Sequence, residues 1–186
     1  MKTAYILLIV AALYVTCTSC SQQPPNTQIM NHTNNPVFSK TDTGKVALSN
    51  DEWKKILSPE VYHIAREKGT ERPYSSKYEE FNDIGTYYCA VCGNALFRSD
   101  TKFESGCGWP SFYEPISKSS VIYEADNSYG MRRTEVMCGR CKSHLGHVFD
   151  DGPKPTGLRY CINGVVLDFE KAKEAEKKYD AEHPQS

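Results

Sequence analysis

Apolar and polar positions divide the chain into four stretches. Tyr5 to Val15 is an unbroken apolar run of eleven residues behind a single basic residue, Lys2. A spanning helix needs about 20 apolar residues, so residues 1–19 are read as a signal peptide. Polar residues interrupted by Pro24, Pro25 and Pro36 follow, and residues 20–48 read as a flexible tether. At Ser49 the pattern turns helical. Ser49-x-x-Glu52 has capping-box form ahead of Trp53, Ile56 and Leu57, and Ser58-Pro59 opens a second helix carrying Val61, Ile64 and Ala65 up to Gly69.

From Gly85 to Gly164 the period shortens, and ten of the twelve glycines lie between runs rich in β-branched and aromatic residues. Strands are predicted over residues 86–89, 95–97, 121–124, 134–138, 147–149, 158–162 and 165–169. So many short strands predict a mainly β, sandwich-like domain with short N-terminal helices over residues 49–170. The Glu-, Lys- and Ala-rich stretch 171–186 reads as a charged C-terminal helix or tail.

Composition narrows the function. At 186 residues there is room for one ordinary domain, expected to be a monomer. The 22 basic and 23 acidic residues leave a formal charge of −1, so nothing draws the chain to nucleic acid. Eight cysteines then need explaining. Cys17 falls in the leader, and Thr18-Ser19-Cys20-Ser21 resembles a bacterial lipoprotein processing site. The expectation is an exported protein, held at a membrane only by a lipid on Cys20 and facing the periplasm or the cell exterior.

Cys89-Ala90-Val91-Cys92 and Cys138-Gly139-Arg140-Cys141 are two C-x-x-C knuckles at strand ends. Two residues between thiolates let a tight turn aim both sulfurs at one ion, and two such turns complete a closed tetrahedral Cys₄ zinc site. Disulfides are the rival in an exported chain; a redox pair would sit at a helix start in a βαβ unit, which neither knuckle does. The paired spacing favours one structural zinc bound between two hairpins.

Cys107 lies in a glycine-rich loop and Cys161 on a predicted strand, with His144 and His147 between them in the chain. On a strand, Arg159, Cys161 and Asn163 share one face, a setting suited to a thiolate nucleophile. An inert core cysteine is the alternative for Cys161. The strings Gly106-Cys107-Gly108-Trp109-Pro110-Ser111-Phe112, His144-Leu145-Gly146-His147-Val148-Phe149, Asp151-Gly152-Pro153 and Arg159-Tyr160-Cys161-Ile162-Asn163, with both knuckles in order, resemble the B-type peptide-methionine (R)-S-oxide reductases over residues 49–170.

That resemblance implies reduction of methionine (R)-sulfoxide in oxidised proteins or peptides, with Cys161 as nucleophile and Cys107 as resolving thiol. A thioredoxin-like reductant would recycle the resulting disulfide. It places Trp109 against the substrate methyl group, His144 and His147 around the sulfoxide oxygen, and Asn163, Arg159 and Asp151 as orienting groups. Gly164-Val165-Val166 departs from the small Ser and Ala residues usual after the Asn. A non-enzymatic zinc-ribbon interaction module is the competing reading; it accounts for the knuckles and the tether but not for Cys107, Cys161, His144 and His147.

Overall fold

The computed structural model describes residues 32–173. The signal peptide, Cys17, the lipidation site at Cys20 and nearly all of the charged C-terminal stretch lie outside the described residues. Helix α1 (Asn50–Ile56) starts at the expected capping box: Ser49 Oγ accepts from Glu52 N at 3.3 Å, and Glu52 Oε2 accepts from Ser49 N at 2.7 Å. Helix α2 (Pro59–Glu67) is capped by Ser58 and buries Val61, Ile64 and Ala65. It ends with Lys68 in the left-handed region at φ 57°. Gly69 follows and donates to His63 O at 3.0 Å, where a Cβ would lie 2.5 Å from the His63 ring. No helix among the described residues is long and apolar enough to cross a membrane.

Among the described residues, nine strands form two antiparallel sheets. Strands β1 (Gly85–Cys89), β2 (Ala95–Arg98) and β9 (Leu167–Lys171) make the smaller, in the order β2-β1-β9. The larger runs β3-β4-β8-β7-β6-β5, from β3 (Lys102–Phe103), β4 (Ser111–Phe112), β5 (Val121–Asp126), β6 (Arg133–Cys138), β7 (His144–Phe149) and β8 (Arg159–Ile162). An aromatic core joins them. Tyr87 and Phe97, cross-strand partners on β1 and β2, pack on Phe112 of β4 with ring centroids 5.0 and 4.4 Å apart, and Phe97 also meets Tyr160 of β8. Such pairs add about 0.5–1.5 kcal/mol each beyond the area they bury. They brace β4 and β8, which carry Ser111 and Cys161.

Residues 35–48 depart from the tether expectation. Asn35 is buried and donates to Val91 O at 2.8 Å, while Val37, Val46 and Leu48 pack against the core. The anchor is Arg140, inside the second knuckle and 3% exposed. Its guanidinium donates to Val37 O, Ser39 O, Gly44 O and Cys92 O and pairs with Asp42 at 2.6 Å. Composition alone hides this, because the strap is held through its backbone carbonyls, which any residue type supplies.

Candidate active site and metal centre

The four knuckle cysteines are buried, and their sulfurs all lie within 4.8 Å of one another. Across the knuckles, Cys89 and Cys141 lie 3.8 Å apart and Cys92 and Cys138 3.6 Å apart. A tetrahedron with metal–sulfur bonds of about 2.3 Å has edges of about 3.8 Å, so the spacing fits one ion and not two S–S bonds. Each knuckle closes on a left-handed residue after its second cysteine: Gly93 at φ 81° and Lys142 at φ 59°. These cysteines could therefore hold a metal ion, with every ligand supplied and no position left open.

Strand register assembles the second cluster. Ser111 on β4 faces Cys161 on β8, Cys161 faces His147 on β7, and His147 faces Glu135 on β6. On β8, Tyr160 and Ile162 point into the core, while Arg159 and Cys161 are half-buried on the other face. Asn163 stands one residue past the strand and is itself buried, so it is not a third member of that strand face. Gly146 lets β8 come close, since a Cβ there would fall 2.0 Å from Cys161 O.

The loop between β3 and β4, residues 104–110, folds back so that Cys107 Sγ lies 3.4 Å from Cys161 Sγ. At that distance the thiols share a proton. The pKa of Cys107 is pulled down to about 4, first by the thiol of Cys161 and then, against burial, by the hydroxyls of Ser105 at 3.0 Å and Ser111 at 3.5 Å. The same contact and then burial push Cys161 up, with Arg159 opposing. The contact therefore favours one proton between the two sulfurs, a thiol on one stabilising a thiolate on the other. Iodoacetamide should alkylate Cys107 at a nearly constant rate from about pH 6 to about pH 8, where an ordinary thiol of pKa ~8.5 accelerates steeply. In Cys161→Ala the donor is gone, and alkylation near pH 6 should slow; a steep rise in the unaltered protein would contradict the shared proton.

A cavity of about 130 Å³ opens over Cys161, walled by Thr70, Trp109, Arg133, Gly146, His147, Phe149 and Asn163. Four of the residues expected at the site are not in its wall: Cys107, whose sulfur lies against that of Cys161, and Arg159, Asp151 and His144. Arg159 and Asp151 form a bidentate pair, both contacts 2.8 Å, and the guanidinium lies 4.4 Å over the Phe149 ring, so they fix a wall from behind. His144 is buried against Glu135, Nδ1 to Oε1 2.8 Å, and Lys68 meets the other carboxylate oxygen at 2.7 Å. A bulge on the β6–β7 pairing, between Val136 and Met137, brings the two histidine rings to 5.5 Å although they stand three apart on a strand.

Other groups emerge only from the fold. Glu71 N donates to Asn163 Oδ1 at 3.0 Å, and Glu71 O accepts from Trp109 Nε1 at 3.3 Å. The Glu71 carboxylate takes the amides of Gly164 at 2.6 Å and Val165 at 3.0 Å, and burial raises its pKa against those two bonds. One buried residue thus ties the indole, the amide side chain and the turn behind the nucleophile together. That turn is the one where the sequence departs from the usual pattern; a Cβ at Gly164 would fall 1.8 Å from Ser76 Oγ. Asp126 accepts from His147 Nε2 at 2.7 Å and from Arg133 at 2.6 Å. Hydrogen bonds from Ser128, then His147, hold the Asp126 carboxyl well below the usual carboxylate range. Glu71, Asp126 and Arg133 carry no local sequence signal; register and turns bring them to the site.

A SelR domain is matched over residues 57–171, more than half of the chain. The chain belongs to the SelR-domain family. Among its relatives, the peptide methionine sulfoxide reductase MsrB of Methanosarcina mazei is 57% identical over 133 residues, covering 72% of this chain and 95% of that protein. The MsrB of Bradyrhizobium diazoefficiens is 58% identical over 132 residues, 71% and 95% of the two chains. That of Pseudomonas syringae pv. syringae is 60% identical over 119 residues, 64% and 91%. The SelR match spans every residue of the cavity and all four knuckle cysteines.

Proposed function

We propose that this SelR protein reduces the R epimer of methionine sulfoxide in peptides and oxidised proteins. One observation carries the reading: two thiols lie 3.4 Å apart, and one of them borders a cavity walled by an indole, an imidazole and an amide side chain. Cys161 borders the cavity and Cys107 does not, so Cys161 is the nucleophile. As a sulfoxide enters, the shared proton settles on Cys107, and the Cys161 thiolate attacks the sulfoxide sulfur. His147 gives a proton to the oxygen. The oxygen passes to Cys161, the S–O bond of the substrate breaks, and thioether and a Cys161 sulfenic acid result. The Cys107 thiol then condenses with it, forming the disulfide and releasing water. A thioredoxin-like dithiol restores both thiols by exchange.

Trp109 offers the apolar face for the substrate methyl, which is what makes one epimer fit. In the zinc reading, Cys89, Cys92, Cys138 and Cys141 hold the ion, which supplies a structural cross-link and no catalytic step. Residues 1–20 carry the proposal of export and a lipid on Cys20. An interaction module would have no use for a thiol pair with one member at a cavity, so the enzyme reading is preferred. Separate R and S epimers of a peptide sulfoxide, with a chemical dithiol and chromatography of the thioether, test it. Turnover is expected for R alone; equal rates, or S alone, would overturn the assignment.

A further inference from the structure

We propose that Asp126 is a positioning residue that grips His147 by Nε2 and leaves Nδ1 as the ring nitrogen facing a sulfoxide in the cavity. The inference deepens the proposed reductase reading and rests on it for the identity of the guest.

The geometry around Asp126 leaves its carboxylate little freedom. One oxygen takes His147 Nε2 at 2.7 Å and Arg133 Nη2 at 2.6 Å, and the other takes the amide of Ser128 at 2.9 Å. Arg133 also reaches Ser128 Oγ at 3.3 Å. Asp126 and Arg133 are register partners at the end of the β5–β6 hairpin, so the grip is built into strand pairing. Arg133 and His147 both border the cavity.

The neighbouring histidine is held the opposite way. Glu135 takes His144 by Nδ1, Lys68 takes Glu135, and His144 Nε2 is buried with no partner. His144 is absent from the cavity wall. Of the two rings, only that of His147 therefore combines a fixed far nitrogen with access to the guest. An imidazole orients by the hydrogen bond its other nitrogen makes. With Nε2–H donated to Asp126, the proton for the sulfoxide oxygen comes from Nδ1. After transfer the ring is neutral and keeps its Nε2–H on the carboxylate, while the Asp126 charge offsets the ring's positive charge beforehand.

Asp126→Asn keeps the shape and removes the charge. The expected result is a fall in kcat for R-sulfoxide of about 10- to 100-fold, part of the roughly 10²–10⁴ that a positioned acid supplies, with KM changed less than about twofold. Ring ¹⁵N shifts of His147 should place the hydrogen on Nε2 in the unaltered protein and spread it over both nitrogens in the variant, a change that a merely structural residue would not produce. Thermal midpoint and iodoacetamide alkylation of Cys107 should stay as they were. An unchanged kcat, or an unchanged His147 ring in Asp126→Asn, overturns the proposal. If the unaltered protein reduces no sulfoxide, the functional reading fails, and the ring measurement still decides whether Asp126 positions His147.

Discussion

Cys161→Ser is expected to abolish sulfoxide reduction with either a chemical dithiol or a protein reductant, a loss of about 10³-fold or more. The reason is the oxidation step. Sulfur at residue 161 must take up oxygen and become a sulfenic acid, and a serine hydroxyl has no such oxidised state. Cys161 is also the thiol in the cavity wall, beside Ser111 and His147, whereas Cys107 stands outside that wall and cannot take its place. Cys107→Ser should behave differently. Ser105 and Ser111 remain, the first half-reaction proceeds, and each chain releases one thioether and stops as a sulfenic acid that a 1,3-dione reagent traps. A small dithiol can reduce that acid directly, so Cys107→Ser keeps turnover with it and loses turnover chiefly with a protein reductant. The measurement is thioether released per chain in a single turnover, with mass spectrometry of the trapped adduct. Full activity in Cys161→Ser, or identical behaviour of the two variants, would exclude the assigned roles.

That contrast was partly visible in the sequence. Cys107 and Cys161 stood in separate strings, one glycine-rich and one strand-like, and the resemblance supplied their pairing. The reason they meet is not local. Ser111–Phe112 is a two-residue strand, too short to give a periodic signal, yet it pairs with both Lys102–Phe103 and Tyr160–Cys161 and so folds the Cys107 loop over the nucleophile. The helices were legible because caps and apolar spacing are local. The longer strands were legible too, with ends shifted by a few residues: β7 begins at His144, where the pattern suggested His147. Glu71, Asp126 and Glu135 were not, since an isolated carboxylate looks the same on a solvated face and in a buried network. The strap over residues 35–48 was hidden for a related reason, its polar composition saying nothing of a buried arginine elsewhere that needs carbonyl partners.

Removal of the zinc proposed at the four knuckle cysteines is expected to unfold this domain. A structural zinc contributes about 10–16 kcal/mol of apparent binding free energy, while a domain of this kind has only about 5–15 kcal/mol of total stability. Losing the ion therefore removes an amount comparable to the whole. The loss would not stay local. The Arg140 guanidinium, lodged between the knuckles, holds the strap through Val37, Ser39 and Gly44, and β1 and β6 carry Cys89 and Cys138 at their ends. Cys92→Ser, or a strong chelator at neutral pH, should release one zinc per chain, lower the thermal midpoint by tens of degrees and expose amides of residues 35–46, 89–92 and 138–141 to hydrogen exchange together. Oxidation is the competing outcome: Cys89 and Cys141 lie 3.8 Å apart and Cys92 and Cys138 3.6 Å apart, close enough for disulfides across the knuckles once the ion is lost, which peptide mapping would identify. A metal-free native protein with an unchanged midpoint and Cys89–Cys92 and Cys138–Cys141 bonds would show that each knuckle is closed by its own disulfide and that no ion joins the two hairpins.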